Sequence, residues 1–157
     1  MSAPHWFTSV VEKLEPRDSQ CEVLAAIFID PINDAGGAIM IEGDGHRVHL
    51  PVYDIVRSAA EAGAQLVLLV HTHPSGNALP SRQDIALTRR LAAHLQRAGV
   101  GLFDHIILAR DRYFSFRARG LLPASENCAL ALATQTPAPY RLPPALPGSF
   151  DSGPVGE

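Results

Sequence analysis

Residues 66–84 read Leu-Val-Leu-Leu-Val-His-Thr-His-Pro-Ser-Gly-Asn-Ala-Leu-Pro-Ser-Arg-Gln-Asp. The apolar run that opens this stretch predicts a short core strand over Gln65–Val70, leading straight into His71. After Pro80, Ser81 is placed as the N-cap of a helix running to Ala98, with Gly99 as its stop. Leu87, Leu91, Leu95 and Ala98 share one face of that helix, and the 3.6-residue period puts Asp84 on the same inward side. A buried strand, a short loop and an amphipathic helix in succession predict an α/β domain.

The flanking sequence fills out that domain. Glu22–Ile29 is apolar without alternation, as in a strand covered on both faces. Pro31–Gly37 collects turn residues, and Ala38–Ile41 reads as a second strand paired to the first. A weaker third strand is expected around Val48. Pro51 opens a helix at its first position, where the missing N–H costs nothing, and Gly63 closes it. His105–Ala109 and Tyr113–Phe116 form a hairpin through Arg110-Asp111-Arg112. Upstream, Trp6, Phe7, Val10, Val11 and Leu14 recur at helical spacing until Pro16, so residues 1–20 are read as a helix docking on a domain of residues 21–122. Seven of the 13 prolines fall in residues 123–157, which are expected to form a flexible, proline-rich tail.

Composition narrows the class. The 157 residues are 46% hydrophobic and 18% charged, as in a globular protein with one sizeable core. A formal charge of −3 gives no global attraction to nucleic acid or anionic lipid. Arg110, Arg112, Arg117 and Arg119 crowd together, a pattern read as a solvated hairpin surface. Cys21 and Cys128 are far apart, so neither a disulfide framework nor a cysteine-ligated zinc site is indicated. No secretory signal or membrane-length apolar run is visible, and a cytoplasmic address is expected.

On an extended segment, residues two apart point to the same side with Cα atoms roughly 6.5–7 Å apart. His71 and His73 can therefore aim at one point and serve as paired metal ligands. Asp84, in the first turn of the next helix, returns to the same place as a third ligand. Two nitrogens and one carboxylate oxygen leave a fourth position for water, which distinguishes a catalytic zinc site from a structural one. Ser81-x-x-Asp84 also reads as a capping box, and the two readings compete for Asp84. His5, His46, His49 and His94 are read as structural or exposed, and His105 as a core histidine with a role behind the site as the lesser alternative.

The spacing His-x-His-Pro-x6-Ser-x-x-Asp matches the JAMM metalloprotease motif at every defined position. With Asp104-His105-Ile-Ile and Gly120-Leu-Leu, the sequence over about residues 20–122 resembles the bacterial RadC-like branch of the JAB/MPN superfamily. That resemblance implies a cytidine-deaminase-like mixed β-sheet flanked by helices. It also implies one zinc ion on His71, His73 and Asp84, and Ser81 steadying an oxyanion. The motif requires an upstream glutamate as general base. Glu22, opening the first buried strand, is preferred to Glu42, which precedes a Gly-Asp-Gly turn. The implied activity is zinc-dependent hydrolysis of a peptide or isopeptide bond in a protein or peptide substrate.

Rival readings are a DNA-repair-associated protein that binds or acts on DNA, and a non-catalytic scaffold. Full-length RadC-like proteins carry an N-terminal helix-hairpin-helix region for which no room is seen before residue 20, so nucleic acid is the less favoured partner. A zinc deaminase would need a Cys-x-x-Cys that is missing. The short His73–Ser81 connection leaves no room for a dedicated ubiquitin grip. No membrane partner is expected, and oligomeric state is not legible.

Overall fold

The computed structural model describes Leu14 and residues 20–30, 35–43 and 51–124. Five strands and two helices follow in order: β1 (Val23–Asp30), β2 (Ala35–Glu42), α1 (Val52–Glu61), β3 (Leu66–Thr72), α2 (Arg82–Arg97), β4 (Gly101–Ala109) and β5 (Arg112–Ser115). They form one mixed sheet in the order β2-β1-β3-β4-β5. β1 is antiparallel to both β2 and β3, β3 and β4 are parallel, and β4 turns back antiparallel into β5. The parallel pair needs a crossover, and α2 supplies it.

β1 and β3 lie inside the sheet, so their apolar runs are used on both faces. Leu24, Ala26, Phe28, Val67 and Leu69 face α1 and α2, meeting Ile55, Ala59, Leu91 and Leu95. Ala25, Ile27, Ile29, Leu66, Leu68 and Val70 face the other way and are joined by Leu14. The N-terminal helix expected around Leu14, the strand near Val48 and the tail beyond residue 124 lie otherwise outside the described residues.

Several boundaries differ from expectation. β2 begins at Ala35 because Gly36 and Gly37 pair with Ile29 and Phe28 and so belong to the strand, not the turn. Pro51 is the N-cap of α1, one residue before the expected position; its carbonyl accepts from the Ile55 N–H at 3.0 Å. On α2, Thr88 and Ala92 join Leu91 and Leu95 in the buried stripe, whereas Ala98 is the exposed C-cap beyond the last turn. Gly99 closes α2 as expected, at φ +77°, letting the Val100 N–H reach the Leu95 carbonyl at 2.9 Å. β4 starts at Gly101, four residues early, because its pairing with β3 runs the length of that strand. The β4–β5 turn is shorter than expected: Ala109 pairs with Arg112, leaving Arg110 and Asp111 at the tip.

Candidate metal centre

The site lies where β3 ends. β3 continues through His71 and Thr72, and the alternation of a strand sends His71 and His73 to the helix-facing side while Thr72 points away. The two rings meet edge to face, 4.7 Å between centroids. β1 runs antiparallel beside them with Leu24 opposite His71, so continuing the register by two residues sets Glu22 across from His73. Glu22 Oε2 lies 3.2 Å from His71 Nε2. Glu42 pairs with Val23, which packs on the opposite face of the sheet, so Glu42 is directed away from the histidines.

α2 delivers the second carboxylate. Ser81 Oγ accepts from the Asp84 N–H at 3.1 Å, and Asp84 Oδ2 accepts from the Ser81 N–H at 2.7 Å, a complete capping box. The contacts with Ser81 fall on Oδ2 and leave Oδ1 toward the histidines, so the capping box and a ligand role for Asp84 do not exclude one another. Oδ1 lies 3.4 Å from His71 Nδ1, and Oδ2, already held by Ser81, lies 3.6 Å from His73 Nε2. Ser81 differs from expectation in one respect. Its hydroxyl proton is given to Asp84 Oδ2 at 2.7 Å instead of pointing into the site to steady an oxyanion.

Backbone contacts fix these groups. His73 Nδ1 donates to the Asn77 carbonyl at 2.9 Å, which places the proton on Nδ1 and leaves Nε2 as a lone pair toward Asp84. Next to Glu22, the Thr72 hydroxyl accepts from the Val23 N–H at 2.8 Å and donates to the Val23 carbonyl at 3.3 Å. The Gly43 N–H donates to the Glu22 carbonyl at 2.8 Å on the other side. Glu22 is thus held from both neighbouring strands. Thr72 was not singled out from sequence; its position between two ligand-type histidines is the only signal it gives.

The electrostatics favour a cation. Burial disfavours a charge on His71, yet Asp84 and Glu22 on its two edges outweigh burial and raise its pKa above the ordinary value. Burial likewise opposes ionisation of Asp84, but the adjoining His71 imidazole and the hydrogen bonds from Ser81 hold its carboxyl well below the usual range. His71 Nδ1 is buried and, though near Asp84, makes no hydrogen bond among the described residues. An orphaned imidazole nitrogen, a second with a free lone pair and two carboxylates form a donor set suited to zinc. Glu22, His71 and His73 each bring one donor atom within 4.8 Å of the others. The residues fit a metal ion.

The mixed sheet, the two helices and this cluster define an α/β domain of the JAB/MPN class. A RadC-like JAB domain profile matches residues 2–121, and the chain belongs to that family. A UPF0758 protein of Thermotoga maritima is 38% identical over 102 residues, covering 64% of this chain and 46% of that protein. A UPF0758 protein of Rhodobacter capsulatus is 43% identical over 76 residues, 47% of this chain and 36% of its own length. A third, from Aquifex aeolicus, is 34% identical over 106 residues, 67% and 46% of the two chains. The chain spans less than half the length of these relatives. Among the described residues, no helix is long and apolar enough to cross a membrane.

Proposed function

We propose that this chain is a zinc-dependent hydrolase of the JAMM type, acting on a peptide or isopeptide bond. The observation that carries the reading is an asymmetry between the two carboxylates beside the histidines. The Asp84 side chain is 8% exposed and fixed by Ser81, whereas Glu22 is 23% exposed and, among the described residues, its carboxylate makes a polar contact with His71 alone. A ligand gains from rigidity, and a general base has to reach water and release a proton. Asp84, His71 and His73 are therefore assigned as ligands and Glu22 as base. Zinc held there supplies Lewis acidity, which makes water a better proton donor near neutral pH and polarises a carbonyl.

The protein's own groups do the rest. Glu22 Oε2 takes the proton of the attacking water and later gives it to the leaving amine. Ser81 holds Asp84 in place; to donate to a developing oxyanion, its hydroxyl turns away from Asp84 Oδ2. The test is metal content of the purified chain, followed by cleavage of a peptide library with and without chelator. Asp84→Ala is expected to lose zinc, and Glu22→Gln to keep zinc and lose at least about 100-fold in turnover. Wild-type cleavage by Glu22→Gln refutes the base. A native protein that takes up no zinc refutes the whole reading, and salt-sensitive binding of branched DNA without cleavage of any peptide would favour the DNA-linked alternative.

A further inference from the structure

We propose that His105 is a positioning residue for the metal site: through the Thr88 hydroxyl it fixes the first turn of α2, and with it Asp84, against β4. This rests on the reading of Asp84 as a ligand. Thr88 Oγ1 lies 2.5 Å from the Asp84 main-chain oxygen and 2.7 Å from His105 Nδ1. A hydroxyl has one proton and a carbonyl can only accept, so the Thr88 proton goes to Asp84. The contact with His105 then requires a proton on Nδ1. The order is His105 Nδ1–H to Thr88 Oγ1–H to the Asp84 carbonyl, with every donor direction determined.

The histidine is built to hold that state. It is fully buried on β4, its ring stacked on Phe116 at 4.5 Å and 10° and facing His71 at 6.0 Å and 22°. A threonine bonding back to the carbonyl four residues earlier is common in helices and ties nothing beyond the helix. The addition here is the link to β4, the strand next to the one carrying His71. Asp84 is thereby fixed from two sides, its N–H and carboxylate by Ser81 and its carbonyl through Thr88. A histidine serving only to fill the core would be disfavoured against Phe or Leu, because its Nε2 is buried without a partner among the described residues.

The relay is tested in the full chain by zinc affinity, measured by competition with a chromogenic chelator, and by the visible spectrum of the cobalt-substituted protein. Thermal stability of the metal-free form is read in parallel. Thr88→Val and His105→Leu are expected to weaken zinc about 10–100-fold and alter the cobalt spectrum. Thr88→Ser, and His105→Asn with its amide near the Nδ1 position, should recover most of that loss. The double variant Thr88→Val/His105→Leu should be no weaker than either single one. Wild-type affinity and spectrum in Thr88→Val overturn the inference, as does an equal loss in Thr88→Ser. Should His105→Leu fail to fold, the Thr88 pair decides alone. Asp84→Ala separates the two levels: if it loses zinc while Thr88→Val does not, only the relay falls, and if it binds zinc normally both readings fall.

Discussion

Replacing Thr72 by Val tests whether a single hydroxyl holds the end of β1 beside the candidate metal centre. The β1–β3 ladder has its last pair at Leu24 and His71. One residue further, the N–H and carbonyl of Val23 are both met by the Thr72 hydroxyl, at 2.8 and 3.3 Å. Valine has the same shape and no hydroxyl, so Thr72→Val leaves a part-buried N–H without its partner, at a cost of about 1–3 kcal/mol. For a domain of this size each kcal/mol lowers the melting temperature by about 4–8 °C. Thr72→Ser keeps the hydroxyl and loses one methyl, worth about 0.8 kcal/mol. Urea unfolding of the metal-free chain, followed by circular dichroism, gives the difference directly. Thr72→Val as stable as wild type refutes the role given to the hydroxyl; Thr72→Ser less stable than Thr72→Val shows that the methyl is what matters.

Three further outcomes follow from the same contacts. Ser81→Ala removes the acceptor for the Asp84 N–H and the donor on its carboxylate, so it should cost about 0.5–2 kcal/mol in urea unfolding and weaken zinc binding together; loss of neither discounts the capping box. Gly76 sits at φ +81° with the Arg110 guanidine against it, so Gly76→Ala should lower stability by about 1–2 kcal/mol, mostly from the left-handed backbone, and an unchanged midpoint would contradict this. His105, lowered from 6.5 to about 3, excludes a proton that the unfolded chain accepts, so the stability it contributes is complete above pH 6.5 and is lost as pH falls toward 3. The slope is up to about 1.4 kcal/mol per pH unit. Denaturation of wild type and His105→Phe across that window should diverge accordingly, and parallel curves would show that the imidazole is not kept neutral.

The parts of the fold legible in the sequence are those written in local patterns. β1 and β3 announce themselves by apolar runs too short for helices, and α2 by Ser81 at one end and Gly99 at the other. His71 and His73 are readable as a pair because a strand's alternation needs no knowledge of the rest of the chain. The start of β4 was not legible, since Asp104 and His105 interrupt the apolar pattern and their burial depends on distant partners. Asp104 accepts from the His105 and Arg117 N–H groups at 2.7 and 2.9 Å and from Ser115 Oγ at 2.5 Å. Thr88 gives no sign of its tie to β4 for the same reason. Glu22 is preferred to Glu42 on sequence alone, but which face of the sheet each takes needed the register, because a carboxylate at a strand end has no face until its neighbours are known.

That register is itself a problem the site helps to solve. A strand with one apolar face is fixed by burial, because a one-residue slip exposes the whole set. β1 lacks this protection: Leu24, Ala26 and Phe28 face the helices while Ala25, Ile27 and Ile29 form an equally apolar opposite face. A slip would exchange one apolar set for the other and leave both covered. The polar contacts are what a slip cannot preserve. It would turn Glu22 away from His71 and separate Val23 from the Thr72 hydroxyl. The residues gathered in the candidate site at the end of β3 therefore also define how β1 lies in the sheet, so variants at Thr72 should disturb the register of β1 and the placement of Glu22 together.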